Sequence, residues 1–293
     1  MASFWGEQSS NSVRTWALFA FFFAMIFALS YFVGWYLDFG AFGITFAVII
    51  AVLSSVGGYY YSDKIVLATT RARPANKEEH HYLVNVAEGL SLAAGIPVPR
   101  IYVIDDAGIN AFATGRDPQH AVVCVTTGAI KKLNRAELEG VVAHELSHVK
   151  NGDMKVMMLA AVFAGFVVIL AQMLRFSGMR GGGDNRGKAG GAIAIIGIAL
   201  VILSPIFAQI IKLSISRSRE YMADAGGAQL TRYPEGLASA LEKISKDSAP
   251  PMAGASDATA HLFISNPFRS KFGGSLFSTH PPIEERIRRL RAM

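Results

Sequence analysis

Long apolar runs alternate with polar segments along this chain. Each run lacks charged residues and is about as long as the roughly 20 residues that a helix needs to cross the hydrocarbon core of a bilayer. The runs cover residues 16–36, 40–61, 156–174 and 190–211. Because they come as two close pairs, the pattern predicts four transmembrane helices arranged as two hairpins. A cleavable signal peptide is disfavoured for the first run, since its apolar core is too long and a second run follows at once.

The polar segments that follow each hairpin show the periodicities of a small α+β domain. Apolar residues at helical spacing, with proline and glycine signals, predict helices over residues 76–94, 134–150, 214–230, 233–247 and 278–293. Short apolar stretches predict strands over residues 100–105, 110–115 and 121–128. Asn134 is the expected N-cap of the second of these helices, and Glu137 stands at the third position of a capping box.

Composition and charge agree with a membrane protein. Hydrophobic residues make up 52% of the chain and charged residues 17%, against roughly 25% charged residues in soluble proteins. Lysine and arginine are plentiful in the two polar segments, whereas the connection between the first two runs carries Asp38 and no basic residue. The positive-inside rule therefore places both polar segments and both termini in the cytoplasm. The basic connection over residues 175–188 is an exception to that rule.

The net charge of +6 does not indicate a nucleic-acid partner, because no basic stripe with interleaved aromatic residues is visible. The positive charge is instead expected to face anionic lipid head groups. The single cysteine, Cys124, excludes an internal disulfide bond. It lies in an apolar stretch and is predicted to pack there as a small hydrophobic residue.

The stretch "VVAHELSHVKNGD" carries a motif with metal chemistry. A helix brings His144 and His148 to one face, one turn apart, where both imidazoles can bind a single ion. Glu145 is offset from that face, in a position suited to take a proton from a water that the metal polarises. The alternative is a chance match on a solvated helix. Leu138 and Val142 favour a packed interior, in which an unpaired histidine would be costly.

A catalytic zinc needs a third protein ligand and one open position. The stretch "SREYMADAGG" offers Glu220 and Asp224, four residues apart and therefore on one helix face. Glu220 would complete the ligand set, and Asp224 is placed to accept a hydrogen bond from a ligating histidine. From spacing alone, pairing of both acids with Arg217 and Arg219 at a helix surface is an equal alternative.

Four stretches together, "AHELSHVKNGD", "SREYMADAGGA", "NAFATG" and "STHPPIEERIRRL", resemble the HtpX family of membrane zinc metallopeptidases, which are related to the Ste-type CAAX prenyl endopeptidases. The resemblance covers nearly the whole chain. It implies one zinc ion per chain, held by His144, His148 and Glu220, with Glu145 as the general base. Asp224 corresponds to the family's aspartate on the same helix. The resemblance also implies a multi-pass protein of the bacterial cytoplasmic membrane.

The predicted fold class is a mainly α integral membrane protein with a cytoplasmic, zincin-like α+β catalytic domain that contains a small β-sheet. Its parts are the N-terminal segment with the first hairpin, the first part of the catalytic domain, the second hairpin, and the second part of the catalytic domain, over residues 1–61, 62–153, 154–213 and 214–293. Because the predicted ligands flank the second hairpin, the site is expected near the membrane surface.

Two further stretches contain candidate site residues. For "NAFATG", the resemblance suggests that Asn110, Ala111, Phe112 and Gly115 bind the substrate backbone, as an extended peptide that adds to a sheet edge. An ordinary turn and strand explains the spacing equally well. His280 in "STHPP" is expected to stabilise an oxyanion, to bind zinc in a resting state, or to serve as a structural histidine.

The function implied by the resemblance is a zinc endopeptidase that cleaves misfolded or damaged membrane proteins at the cytoplasmic face. Membrane-protein or unfolded polypeptide substrates and the lipid bilayer are its expected partners, and an oligomer or a partner membrane protease stays open. The alternatives are a non-catalytic adaptor or chaperone with a structural zinc, and a prenyl-protein endopeptidase, for whose chamber four helices are too few. A transporter or channel is disfavoured, since the apolar runs hold no ionisable residues that would mark a path.

Overall fold

The computed structural model describes residues 16–17, 19–28, 31, 35, 40, 42–159, 161–162, 217–256, 259–268 and 281–293. Most of the third and fourth apolar runs, and the candidate His280, lie outside the described residues. Within these ranges, no helix combines the length and the apolar content that a membrane span requires. The four transmembrane helices therefore stay a prediction.

Helices and a small sheet make up the described structure. The helices with given bounds are α1 (Phe42–Thr69), α2 (His81–Ala94), α3 (Thr127–Lys132), α4 (Arg135–Asn151), α5 (Arg217–Thr231), α6 (Pro234–Lys246) and α7 (Ile283–Arg291). Residues 19–28 and 153–159 are helical as well. The strands are β1 (Arg73–Pro74), β2 (Arg100–Ile104), β3 (Ala111–Thr114) and β4 (Val122–Thr126). The strand order is β1-β2-β4-β3, with β2 and β4 parallel and the two outer pairings antiparallel. Strand β3 therefore lies at an edge of the sheet.

The sheet separates two hydrophobic clusters. Successive side chains of a strand point to opposite faces. Val103 and Val125 therefore pack with residues of α2, α4 and α6 on one face. On the other face, Phe112 and Cys124 pack with Val66 at the end of α1. Helix α4, which carries the histidine motif, is thus held against the sheet by the first cluster.

The ends of α4 follow from its sequence. Asn134 accepts a hydrogen bond from the Glu137 N–H group, and the Glu137 carboxylate accepts one from the Asn134 N–H group, so the predicted capping box is confirmed. Gly152 ends the helix in the left-handed conformation, with φ of 72°. Close packing then fixes the helix, since a Cβ atom on Gly140 would lie 2.6 Å from the backbone nitrogen of Leu237 in α6.

Most predicted elements are confirmed, with small differences at their ends. The confirmed elements are the strands predicted over 100–105, 110–115 and 121–128 and the helices predicted over 134–150 and 233–247. Strand β1 and helix α3 were not predicted. Both are too short to leave a periodic pattern.

Two predicted boundaries are wrong. Helix α2 begins at His81 rather than at Asn76, because the Asn76 side chain instead accepts a hydrogen bond from the Glu78 N–H group in a turn. Helix α1 continues to Thr69, well past the expected end of the second apolar run. Its additional turns bury Val66 against the sheet.

Candidate metal centre

Helix α4 presents His144 and His148 on one face, and α5 presents Glu220 opposite to them. The two Nε2 atoms lie 3.2 Å apart. Glu220 Oε1 lies 3.5 Å from His148 Nε2, and Glu220 Oε2 lies 3.9 Å from His144 Nε2. All three side chains are buried, and one ligand atom from each lies within 4.8 Å of the others. The structure therefore brings together the three residues that the sequence proposes as zinc ligands.

Small residues allow α5 to approach α4 so closely. A Cβ atom on Gly227 would lie 3.0 Å from the backbone nitrogen of His144. A Cβ atom on Gly226 would lie 2.7 Å from the hydroxyl of Ser147. The stretch "ADAGGA" therefore sets the distance between the two helices, and α5 runs without interruption through it.

A carboxylate stands behind each imidazole. Asp224 Oδ1 lies 3.0 Å from His144 Nδ1, and Asp153 Oδ2 lies 3.0 Å from His148 Nδ1. A carboxylate at Nδ1 favours the tautomer with a proton there, which leaves the Nε2 lone pair for a metal. Two imidazole nitrogens and the Glu220 carboxylate are the donor set of a catalytic zinc with one open position. The residues present fit that ion.

Asp153 is a site residue that the sequence analysis missed. It follows Gly152, the left-handed end of α4, so the turn brings its side chain back to the last helical turn. A buried carboxylate is costly unless it is paired, and Asp153 is 1% exposed. The available signal was an acid placed directly after the C-terminal glycine of a metal-binding helix.

Arg286 on the last helix is a second residue that the sequence analysis missed. The positive charge of the chain is expected to face lipid head groups, but Arg286 is 1% exposed. Its Nε and Nη2 atoms donate to the two oxygens of Asp224 at 2.9 and 2.7 Å. Its Nη1 atom lies 3.6 Å from Glu220 Oε2. Helix α7 turns this arginine inward because two buried carboxylates need a counter-charge.

Burial outweighs the carboxylate behind His144 in determining the protonation of this histidine. Burial disfavours the ionised carboxylate of Asp224, but the Arg286 guanidinium and the hydrogen bond from His144 outweigh burial and hold the pKa of Asp224 at about 2. Burial lowers the pKa of His144 to about 4, although Asp224 opposes this shift. His144 is therefore neutral at neutral pH, as a metal ligand must be.

His148 and Glu145 differ from His144 in their surroundings. Burial lowers the pKa of His148, but Asp153 and Glu220 outweigh burial and raise this pKa to about 9. Metal binding at His148 therefore releases a proton. Burial raises the pKa of Glu145 to about 7, and the Ala113 N–H group donates a hydrogen bond to its carboxylate. A pKa near neutrality suits a group that exchanges protons with a substrate.

The stretch "NAFATG" forms β3 and its ends. Asn110, Ala111, Phe112 and Gly115 are all buried. The side chain of Asn110 is hydrogen-bonded to the main chain of Ser265, and Gly115 has φ of 137°, which a side chain would disfavour. These side chains belong to the fold, so any contact with a substrate would come from the main chain. Their role in substrate binding stays a prediction.

The cysteine on the neighbouring strand is free and buried, as predicted. Burial and the nearby Glu145 carboxylate raise the pKa of the Cys124 thiol well above its usual range. A thiol in that state is a poor nucleophile. Cys124 therefore packs in the second cluster and is not a reactive group.

A buried His-His-Glu donor set on two helices, with a further glutamate directly after the first histidine, defines a zinc metallopeptidase of the HExxH class. The comparisons with known proteins agree. The sequence model of the family described as "Peptidase family M48" matches residues 77–293. This chain belongs to peptidase family M48, and it is a zinc metalloprotease.

Curated relatives match over almost their whole length. A "Protease HtpX homolog" from Dictyoglomus turgidum is 47% identical over 291 residues, which are 99% of this chain and 95% of the relative. A protein of the same name from Thermoanaerobacter pseudethanolicus is 48% identical over 98% of this chain and 96% of its own length. Among solved structures, Ste24p of S. mikatae matches with a TM-score of 0.52 and 18% identity, over 97% of this chain and 66% of that protein. At that identity, the Ste24p match describes the fold alone.

Proposed function

We propose that this chain is a membrane-embedded zinc endopeptidase that cleaves misfolded or damaged membrane proteins at the cytoplasmic face. The observation that carries the proposal is the placement of Glu145. Its carboxylate lies beside the two buried histidines and is also bonded to the main chain of Ala113 in the edge strand β3. An acid–base group is therefore placed where an extended polypeptide would add to the sheet.

In this proposal His144, His148 and Glu220 hold the zinc. When bound, the ion supplies a Lewis acid that polarises water and the scissile carbonyl. Glu145 takes a proton from the attacking water and later gives it to the leaving amine. Asp224 and Asp153 keep the imidazoles in the ligating tautomer, and burial excludes competing water from the carboxylates.

The substrate main chain would pair with the outer edge of β3. Such pairing supplies hydrogen bonds to the backbone of the substrate and depends little on its side chains. Selection would then rest on whether a segment can become extended, and unfolded polypeptides satisfy that condition best. This property supports misfolded or damaged proteins as the substrate class.

Placement in the membrane rests on the four apolar runs and on the distribution of basic residues. The second pair of runs separates His148 from Glu220 along the chain, so the site would lie where that hairpin meets the cytoplasm. Helix α1 also exposes large apolar side chains, which supports contact with lipid. They are Phe42, Phe46, Val48, Ile49, Val52, Leu53, Val56 and Ile65.

The proposal is tested with the full chain in detergent, by measuring zinc content and hydrolysis of an unfolded model protein. We expect stoichiometric zinc in the wild type and in Glu145→Gln, with hydrolysis lowered about 10²–10⁴-fold in the variant. Glu139→Gln is the matched control on the same helix. The Glu139 carboxylate accepts a hydrogen bond from the Tyr82 hydroxyl and is not one of the residues of the metal centre. Zinc in both proteins with no hydrolysis in either would favour the non-catalytic adaptor.

A further inference from the structure

The outer edge of β3 is only partly available. The Thr126 N–H group donates to the Asn110 carbonyl, so Asn110 and every second residue after it bond to β4. The main-chain groups of Ala111 and Ala113 therefore face away from β4, toward the outer edge. The Ala113 N–H group already donates to the Glu145 carboxylate, so an added chain would bond at this position to the Ala113 carbonyl.

A segment of this chain already occupies the edge at Ala111. We call residues 259–268 the strap. The Ile264 N–H group donates to the Ala111 carbonyl at 2.9 Å. The Asn110 side chain donates to the Ser265 carbonyl at 3.0 Å and accepts from the Ser265 N–H group at 3.3 Å. Asn110 thus clamps the main chain of the strap from the start of β3.

The strap is anchored from several sides and behaves as part of the core. Phe263 is fully buried and packs edge-on against Phe112, with ring centres 5.0 Å apart. The His261 Nε2 atom lies 2.9 Å from the carbonyl of Met157. Arg286, which pairs with Asp224 behind the metal centre, also donates a hydrogen bond to the Ile264 carbonyl of the strap at 3.4 Å. The strap therefore covers the outer edge of β3 at Ala111.

The strap and Glu145 lie close together along the outer edge of β3. Glu145 is bonded to the main chain of Ala113, so in this proposal the bond to be cleaved lies beside Ala113. Ala111 is two residues away, which is about 7 Å along a strand. From the reaction centre, the strap therefore closes the edge toward Ala111, whereas among the described residues no main-chain group bonds to the outward carbonyl of Ala113.

The direction of the substrate follows from strand pairing. Antiparallel pairs are more stable per residue and more common than parallel pairs. An antiparallel substrate places its residues N-terminal to the scissile bond beside Gly115 and its C-terminal residues beside Ala111. We propose that the strap ends sheet-edge pairing within about two residues after the scissile bond, and that Asn110 is a specificity-determining residue because it holds the strap there.

This inference rests on the proposed peptidase function and deepens it. Residues before the scissile bond are bound as an added strand. Residues after the bond must leave the sheet and turn outward, so a cleavable segment needs a bend on its C-terminal side. Folded structure close to that side would be rejected, whereas an extended segment before the bond would be accepted.

An N-methyl scan of an internally quenched peptide, cleaved at one bond by the wild type in detergent, tests the closed edge. N-methylation removes one donor and adds bulk at the edge. At alternate positions before the scissile bond we expect kcat/KM to fall about tenfold, the value of one lost hydrogen bond of about 1.4 kcal/mol. At the third and fourth positions after the bond we expect less than a twofold change. Equal losses on both sides would overturn the proposal.

Variants of the clamp test Asn110. Asn110→Ala removes both hydrogen bonds to the strap, and N-methylation at the third position after the bond should then lower kcat/KM several-fold. Ser265→Ala is the matched control and should keep the wild-type pattern, because Asn110 binds only the main chain of Ser265. Asn110→Asp retains the acceptor and loses the donor, and it replaces Asn110→Ala if that variant does not fold. A wild-type pattern in a folded clamp variant would remove Asn110 from the proposal.

Failure of the strap and failure of the peptidase function give different results. If the zinc-loaded wild type does not cleave the unmethylated peptide or an unfolded protein, the peptidase proposal fails. If it cleaves the unmethylated peptide but tolerates N-methylation everywhere, cleavage does not use the sheet edge and the strap proposal fails alone.

Discussion

Arg286 and Asp224 form a bidentate pair at the back of the metal centre. The guanidinium donates to both carboxylate oxygens, at 2.9 and 2.7 Å, and both residues are buried. The same carboxylate lies 3.0 Å from His144 Nδ1. One side chain on the last helix therefore contacts the carboxylate behind His144, and it also lies 3.6 Å from the predicted ligand Glu220.

Replacing Arg286 by methionine should destabilise the protein by about 3–5 kcal/mol, because the change leaves buried carboxylates without their counter-charge. Arg286→Lys should lie between this variant and the wild type, since an ammonium group keeps the charge but loses the planar fork. Denaturant-induced unfolding of the detergent-solubilised protein measures both effects.

Arg288→Met is the matched control on the same helix. Arg288 is largely exposed and pairs with Glu285 at the surface. A surface pair contributes at most about 1 kcal/mol, so this variant should unfold almost like the wild type. Similar destabilisation by Arg286→Met and Arg288→Met would show that the buried pair has no special role.

Replacing Asp153 by asparagine should weaken zinc binding about 10–100-fold, because the amide no longer fixes His148 in the ligating tautomer. Competition with a chelator of known affinity measures the change. Asp105→Asn serves as the control, since Asp105 is an exposed acid whose side chain is bonded to the Thr127 hydroxyl. Unchanged zinc affinity in Asp153→Asn would contradict a supporting role for this carboxylate.

The sequence predicts the parts of the site that depend on local spacing. His144, Glu145 and His148 lie on one helix, whose start is encoded by the capping box at Asn134. Spacing alone does not identify Glu220 as a metal ligand, because an acid on a helix near arginines can also form ion pairs at the surface. The family resemblance decided between the two interpretations at that position.

Residues that depend on tertiary contacts could not be predicted. The last helix contains several arginines, and its sequence does not show that Arg286 alone among them is buried in the described structure. Its role follows only from where α7 meets α5. The strap is a similar case, since no periodic pattern marks Ile264 as the partner of Ala111.

Adding a methyl group at Gly140 should destabilise the protein by about 1–3 kcal/mol through overpacking. The new Cβ atom would lie 2.6 Å from the backbone nitrogen of Leu237, so α4 and α6 would have to separate. Gly89→Ala is the control in α2, where a Cβ atom meets nothing within 4 Å. That variant should be stabilised by about 0.5–1 kcal/mol, because alanine favours the helix. Thermal unfolding of both variants checks the opposite signs, and destabilisation by Gly89→Ala would contradict the packing argument.

Zinc should stabilise the folded protein through the three predicted ligands and independently of Glu145. At a free zinc concentration 100 times the dissociation constant, binding adds about 2.7 kcal/mol to the free energy of unfolding. Wild type and Glu145→Gln should both show this gain when zinc is added to the metal-free protein, whereas His148→Ala and Glu220→Gln should show much less. Thermal unfolding with and without zinc measures the gain without any assay of hydrolysis. A full gain in His148→Ala would place the bound zinc elsewhere. A gain in the wild type that Glu145→Gln lacks would make Glu145 a ligand rather than the base.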